Sequence, residues 1–123
     1  MHSEALGFIK AAKGTIVLDF DGVVNPYLKG WQGVGNIPED PDPEAVRRIK
    51  AWRAAKIPVV VASARANSKT GKKAIEAYLR QHDIPITKVF PKPHGAIYID
   101  DRGYKHRSWR ATGRYVKRQL ETA

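Results

Sequence analysis

Residues 14–25 read GTIVLDFDGVVN, and this stretch decides the fold. Its β-branched, apolar run, residues 15–18, predicts a buried strand. Asp19 and Asp21 follow at a spacing of two, so both carboxylates face the same side of an extended chain. Two adjacent like charges are unfavourable unless a cation joins them, and Mg²⁺ takes oxygen ligands. With the sharp turn that Gly22 allows, the stretch predicts a metal and phosphate site at the carboxyl end of a strand, where open α/β sheets bind ligands.

Two other interpretations of this stretch have to be weighed. Asp-Gly is ordinary in turns, so a solvated junction between a strand and a turn also explains the motif. A calcium-binding loop would require Asp or Asn where Val23 stands, which argues against such a loop.

The composition indicates a small single-domain protein. The 123 residues are 42% hydrophobic and include no cysteine. One domain over residues 1–123 is therefore expected, without disulfides or thiolate ligands. The absence of cysteine suits a reducing cytoplasm. The longest apolar run, around residues 59–62, is too short to span a membrane, so no membrane association is expected.

The chain is strongly basic, with a formal net charge of +10. Such a charge attracts polyanions, and nucleic acid is the obvious candidate partner. A generally basic surface explains the charge equally well. Much of the positive charge lies in the closing segment, where only Glu121 opposes it. The basic residues of this segment are Arg102, Lys105, Arg107, Arg110, Arg114, Lys117 and Arg118.

The segment 25–41 is rich in Pro, Gly, Asn and aromatic residues, which predicts a loop or short hairpin. It leaves the carboxyl end of the first strand and must therefore lie over the proposed site, where loops commonly carry specificity. Trp31 either stacks on a base or sugar of the substrate or anchors the loop to the core.

A second strand is predicted beside the first. The sequence Asp-Pro-Glu at 42–44 is a strong helix start, and the helix is expected to run to about residue 56. The apolar run 57–62 follows. A strand, a helix and another strand in this order predict a right-handed parallel crossover.

Ser63 and Arg65 stand two residues apart at the end of the second strand. Ser63 can donate to a phosphate oxygen, and Arg65 can bind either a phosphate or an acid in a forked pairing. The hydroxyl of Ser63 could instead cap the next helix. Asn67, Ser68 and Thr70 are more natural caps for that helix.

The second half of the chain repeats the pattern of apolar runs that end in charged residues. Asp100 and Asp101 follow an apolar run directly, which makes a third strand end that carries carboxylates. The predicted elements are a helix over 70–82, a short strand ending near 90, a strand over 96–99, an edge strand within 104–109 and a helix over about 110–121.

Together these strand ends resemble the haloacid dehalogenase superfamily of phosphohydrolases. Its first motif, a strand followed by Asp-x-Asp-Gly, is matched by residues 19–22, and its second, a strand followed by Ser or Thr, by Ser63. Its third is a lysine, for which Lys92 is best placed and Lys88 is the rival. Its fourth, a strand followed by paired acids, is matched by residues 100–101. The chain is similar in detail to a group of small, mostly uncharacterised bacterial and phage members.

The resemblance implies catalytic roles for four residues. Asp19 resembles the nucleophile, which attacks phosphorus and forms an aspartyl-phosphate. Asp21 resembles the general acid that protonates the leaving oxygen and later the base that activates water. Ser63 and Lys92 would hold the phosphoryl oxygens and offset their developing charge.

The resemblance also implies Mg²⁺ as the cofactor. The ion would be bound by Asp19, by the backbone carbonyl of Asp21 and by an acid of the fourth motif. The expected strand register favours Asp101 as the direct ligand and Asp100 as a supporting or water-mediated one. The candidate substrate contacts are Gly22, Arg65 and Trp31.

The fold implied by the resemblance is α/β: a three-layer, Rossmann-like α/β/α domain with a parallel sheet of order 5-4-1-2-3. Its core would cover residues 14–109, with the basic helix after it. Neither the segment after the first motif nor the one after the second is long enough for a cap domain. An uncapped, open site goes with macromolecular substrates in this superfamily, or with a partner that supplies the lid.

The sequence therefore predicts Mg²⁺-dependent phosphomonoester hydrolysis, with a nucleotide or a phosphorylated nucleic-acid end as the phosphorylated substrate. The alternative is a phosphatase-like module that binds nucleic acid through its basic tail and does little chemistry. The intact acid pairs argue against this alternative, because a pure binding module has no need of Asp21. The sequence indicates no oligomeric state.

Overall fold

A computed structural model describes residues 14–94, 100 and 103–122. Within these residues the chain forms a parallel sheet of three strands and three α-helices. The predicted α/β class is thereby confirmed. The elements in chain order are β1 (Ile16–Leu18), α1 (Pro43–Ala54), β2 (Val59–Ser63), a 3₁₀ turn (Ala64–Asn67), α2 (Lys69–Gln81), β3 (Lys88–Pro91) and α3 (Trp109–Thr122).

The sheet has the order β1-β2-β3, and both strand pairs are parallel, as the predicted crossover requires for the first pair. Leu18 pairs with Val61, and Ser63 pairs with Pro91. Because the strands are parallel, their carboxyl ends meet at one edge of the sheet. The predicted strand over 96–99, which would extend this order, lies outside the described residues.

Side chains at the helix starts explain where α1 and α2 begin. The Asp42 carboxylate accepts a hydrogen bond from the Glu44 amide at 2.9 Å, which confirms the predicted cap of α1. The Ser68 hydroxyl accepts one from the Gly71 amide at 3.0 Å and caps α2. Each cap satisfies a backbone N–H that has no partner inside its helix.

The core lies where the helices cover the sheet. Phe20, directly after Asp19, is fully buried and meets the ring of Tyr78 edge to face at 5.3 Å. This burial sets the direction of the chain at the end of β1. Other buried apolar residues include Leu18, Val24, Ile49, Val59, Val61, Ile75, Leu79, Val89 and Trp109.

The predicted edge strand within 104–109 is wrong, because residues 103–108 are irregular and Trp109 already begins α3. The Tyr104 ring stacks on that of Tyr115 at 4.2 Å, so this segment folds back on α3 rather than on the sheet. Among the described residues, no helix combines the length and the apolar character needed to cross a membrane.

Candidate active site

Three candidate residues meet at the carboxyl edge of the sheet. Asp19 follows β1 directly, Ser63 ends β2, and Lys92 follows β3. Since Ser63 pairs with Pro91, Lys92 lies beside the end of β2. Lys88 begins β3 and is therefore about 10 Å from Pro91, toward the opposite edge of the sheet. The geometry thus favours Lys92 over Lys88 as the lysine of this site.

Asp19 is exposed to solvent and has one oxygen, Oδ1, that accepts a hydrogen bond from the Phe20 amide at 2.9 Å. Partial burial of the carboxyl is the main cause that raises its pKa above the ordinary value. The charge of Lys92 and the Phe20 amide act in the opposite direction, and the charge of Asp21 adds a smaller increase. The carboxyl is therefore accessible to a substrate, yet its negative charge is poorly compensated by its surroundings.

Asp21 is held on both of its oxygens. Arg65 donates from Nη2 to Oδ1 at 2.9 Å and from Nε to Oδ2 at 3.3 Å, which is a forked pairing. Asn25 donates from Nδ2 to Oδ1 at 2.9 Å. Two groups from different parts of the chain thus determine the orientation of this carboxylate.

The guanidinium of Arg65 is almost completely buried, with 1% of its side chain exposed. Beyond Asp21, its Nη1 donates to the carbonyl oxygens of Gly33 and Val34 at 2.7 and 2.9 Å. The exposed ring of Trp31 covers the guanidinium, with 4.7 Å between Cζ and the ring centroid. Of the two predicted partners for Arg65, a phosphate or an acid, the structure shows the acid.

The turn after β1 brings Asn25 back to Asp21. The Phe20 carbonyl accepts hydrogen bonds from the amides of Val24 and Asn25, both at 2.9 Å. Gly22 has a φ of +84°, a conformation that glycine adopts without strain, and its amide donates to the Asn25 carbonyl at 2.8 Å. The Gly22 amide thus closes the turn, and Asn25 is a site residue that the sequence reasoning missed.

Ser63 is buried, and its Oγ accepts a hydrogen bond from the Arg65 amide at 3.1 Å. It therefore caps the 3₁₀ turn, while Ser68 caps α2. A hydroxyl that accepts one bond can still donate its own hydrogen. Ser63 thus retains a donor for a phosphoryl oxygen.

Asn67 supports the loop that carries Lys92. Its Nδ2 donates to the Lys92 carbonyl at 3.0 Å, and its Oδ1 accepts from the Lys92 amide at 3.1 Å. This reciprocal pair ties the end of β3 to the 3₁₀ turn after β2. Sequence reasoning assigned Asn67 only the role of a possible helix cap.

The loop between β1 and α1 lies against the site, as predicted. Arg65 binds its carbonyls at Gly33 and Val34, and the Tyr78 hydroxyl donates to the Glu39 carbonyl at 2.8 Å. The carboxylate of Glu39 accepts the amides of Leu28 and Lys29 at 3.1 and 2.8 Å. The loop is therefore anchored by polar contacts, and Trp31 remains 57% exposed rather than packed in the core.

The predicted Mg²⁺ ligands are described only in part. Asp100 is exposed and lies beside Gly103, whereas Asp101 lies outside the described residues. Within the described part of the chain, no group of three or more His, Cys, Asp or Glu side chains could hold a metal ion. The carboxylate oxygens of Asp19 suit Mg²⁺ chemically, because a cation would relieve their poorly compensated charge.

No family model matches this chain, and no curated protein matches it. The crystal structure of a target protein from Vibrio cholerae is similar to it, with a TM-score of 0.62 and 18% sequence identity. The similarity covers 88% of this chain and 97% of that one. At this level of identity the match shows a shared α/β fold.

Proposed function

We propose that this chain is a Mg²⁺-dependent phosphomonoester hydrolase that acts through an aspartyl-phosphate. The fold we propose for it is the uncapped, three-layer form of the haloacid dehalogenase type. The location we propose for the protein is the cytoplasm. The observation that carries the proposal is the contrast between two neighbouring acids. Asp19 is accessible at the strand end, while Asp21 is held in place by Arg65 and Asn25.

In the first step, a carboxylate oxygen of Asp19 attacks phosphorus, and the bond between phosphorus and the ester oxygen breaks. Asp21 gives a proton to the departing oxygen, so that an alcohol leaves. In the second step, Asp21 takes a proton from water, the water oxygen attacks phosphorus, and the bond to Asp19 breaks. The products are inorganic phosphate and the original carboxylate.

The hydrogen bonds of Asp21 are compatible with this role. Its Oδ1 accepts from both Asn25 and Arg65, whereas Oδ2 accepts only from Arg65 among the described residues. Each carboxyl oxygen has two lone pairs, so Oδ2 keeps one position for the proton. Arg65 and Asn25 therefore orient Asp21 without filling the place where the proton is carried.

In this proposal, groups at the carboxyl edge of the sheet balance the negative charge of the phosphoryl oxygens. Ser63 would donate to one phosphoryl oxygen, and Lys92 would neutralise another. Asp19, the Asp21 carbonyl, Asp101 and, in support, Asp100 would hold Mg²⁺. When bound, Mg²⁺ supplies positive charge that lowers the repulsion between the phosphate and the carboxylates.

The experiment that tests this proposal is hydrolysis of an aryl phosphate with Mg²⁺ and after its removal by a chelator. Asp19→Asn should abolish turnover. The matched control is Asp83→Asn, because the Asp83 side chain is 94% exposed and its left-handed backbone, with a φ of 55°, suits asparagine. Metal-independent turnover, or turnover that survives Asp19→Asn, would contradict the proposal.

The second candidate function is a nucleic-acid-binding module with little or no chemistry. The observation that favours it is the row of exposed basic residues on α3. If turnover is absent with a range of phosphate esters, binding of Mg²⁺ separates the two candidates. Binding of Mg²⁺ that Asp19→Asn weakens indicates a selective enzyme, whereas no Mg²⁺ binding favours the module.

A further inference from the structure

We propose, resting on the hydrolase function above, that the substrate is the phosphorylated end of a nucleic-acid strand and that α3 binds the backbone of that strand. The contact surface, here called the α3 basic face, consists of Arg110, Arg114 and Lys117, with Arg118 beside them. The assignment follows from the spacing of these charges, the groove next to them and the connection of α3 to the turn at Asp21.

Arg110, Arg114 and Lys117 are separated by four and three residues, so they lie on one side of the helix. All three are exposed, whereas Trp109, about 100° around the helix from Arg110, is buried. In the described part of the chain no carboxylate lies within salt-bridge distance of these three cations. Their positive charge is therefore available to an anionic partner.

The spacing of the charges suits a linear polyanion. Residues 110–118 extend over about 12 Å at the helical rise of 1.5 Å per residue. One strand of a duplex has a phosphate about every 3.4 Å along its axis, so this length matches roughly three or four phosphates. A helix that lies on a membrane would in addition present large apolar side chains at the water boundary. The large apolar side chains of α3, such as Tyr115 and Leu120, are instead only partly exposed.

A groove between α1 and α3 adds an aromatic surface to these cations. Its lining includes one acid, Glu121, beside Arg48, Trp52, Arg114 and Lys117, and its volume is about 370 Å³. The Arg48 guanidinium lies over Gly113, where a larger residue would collide with it. Cations beside an aromatic ring are the arrangement that binds the phosphates and bases of a single strand.

The α3 basic face begins next to the candidate active site. Trp109 donates from its indole Nε1 to the carbonyl oxygen of Val23 at 3.2 Å, and Val23 is two residues after Asp21. Arg110 follows Trp109 directly. A strand bound along α3 would therefore lead toward the turn that carries the two acids.

The test measures binding of a labelled, unphosphorylated single-stranded oligonucleotide of about 12 nucleotides, a length within the usual range for one binding domain. The variant replaces Arg110, Arg114 and Lys117 by Gln. The charge-matched control replaces Lys56, Lys73 and Arg80, three exposed residues outside α3, by Gln. Circular dichroism of both proteins checks that the helices remain folded.

We expect the α3 variant to reduce the slope of log affinity against log salt by about 2, at about 0.7 per lost phosphate contact. Between 50 and 200 mM salt the wild-type protein should then lose roughly 20-fold more affinity than the variant. An equal change of slope in the control variant, or no change in the α3 variant, overturns the assignment. So does tighter binding to anionic lipid vesicles than to the oligonucleotide at the same salt.

Hydrolysis separates this inference from the proposed function. The α3 variant should hydrolyse an aryl phosphate at the wild-type rate but show a higher KM for an oligonucleotide with a terminal phosphate. If the α3 variant and the wild type have equal KM values for that oligonucleotide, the inference is overturned but the proposed hydrolase function is not. Loss of aryl phosphate turnover in Asp19→Asn with oligonucleotide binding intact is expected. Absence of such turnover in the wild-type protein contradicts the proposed hydrolase function. The assignment of the α3 basic face is then decided by the slope of log affinity against log salt.

Discussion

The two carboxylates after β1 are separated by one residue but lie in different surroundings. Asp19 is exposed, accepts one described hydrogen bond from its neighbour's amide, and has a raised pKa because burial of its carboxyl is incompletely compensated. Asp21 accepts three hydrogen bonds from Arg65 and Asn25. Solvent reaches the first acid, whereas the second is oriented by the protein.

This difference matches a division of labour in phosphoryl transfer. A nucleophile must be reached by the substrate, and burial that disfavours its charge makes that charge more available to a metal ion or to phosphorus. A group that moves a proton must be held at the correct distance and angle. The comparison therefore predicts different effects of substitution. Changes at Asp21 and its partners should alter how kcat depends on the leaving group, whereas a change at Asp19 should also alter stability with pH.

The largest effect that tests the comparison is expected from Asp21→Asn. General acid catalysis contributes about 10²- to 10⁴-fold, and a poor leaving group depends on it most. The variant should therefore lose more activity toward an alkyl phosphate than toward an aryl phosphate with an acidic phenol. The ratio of kcat values for the two substrates measures this. An equal loss on both substrates would show that Asp21 does not protonate the leaving oxygen.

The next effect is expected from Arg65→Lys, which keeps the charge but cannot form the fork to both oxygens of Asp21. Misplacement of a reacting group by about 1 Å costs on the order of 10² in rate, so kcat should fall by about that factor. The loss should again be greater for the alkyl phosphate, because Arg65 acts through Asp21. A rise in KM alone, with kcat unchanged, would instead indicate that Arg65 binds the substrate directly.

A third prediction concerns the stability of Asp19→Asn. Because the pKa of Asp19 is raised in the folded state, the folded protein keeps a proton at pH values where the unfolded chain has lost it. Ionisation of Asp19 therefore costs stability as the pH rises through this range, and asparagine avoids that cost. We expect the variant to be more stable than the wild type at neutral pH.

The stability difference should disappear below about pH 3.9, where the carboxyl is protonated in both states. Mg²⁺ should stabilise the wild type more than the variant, since a ligand of the folded state raises the free energy of unfolding. Denaturant melts at several pH values, with and without Mg²⁺, measure both effects. A variant less stable than the wild type at neutral pH would contradict the assigned surroundings of Asp19.

The sequence predicted the backbone of this site better than its side-chain pairs. Apolar runs and the caps at Asp42 and Ser68 are local signals, so they indicated β1, β2 and the helices that follow them. The positions of Asp19 and Ser63 at the strand ends follow from the same signals. The strand over 96–99 and Asp101 stay predictions, because both lie outside the described residues.

Two of the missed contacts join residues that are distant in sequence. Arg65 and Asp21 are separated by 44 positions, and Asn67 and Lys92 by 25. No periodicity shows which of several acids an arginine will reach. Asn25 is close to Asp21 in sequence, but its amide reaches Asp21 only because the turn at Gly22 reverses the chain. Such pairs depend on the assembled fold.

The smallest effect is expected from Trp31→Ala. The ring covers the Arg65 guanidinium, and a partly exposed cation–π contact contributes about 0.5–1 kcal/mol. If Trp31 only covers Arg65, its loss should lower kcat by less than about tenfold, and more for the alkyl phosphate than for the aryl phosphate, because the effect passes through Arg65 to Asp21. If it also stacks on a base, KM for a phosphorylated oligonucleotide should rise while KM for an aryl phosphate stays unchanged. Trp31→Phe, which keeps an aromatic face, should restore most of either loss, and failure of this rescue would mean that the ring acts through its size or its indole N–H.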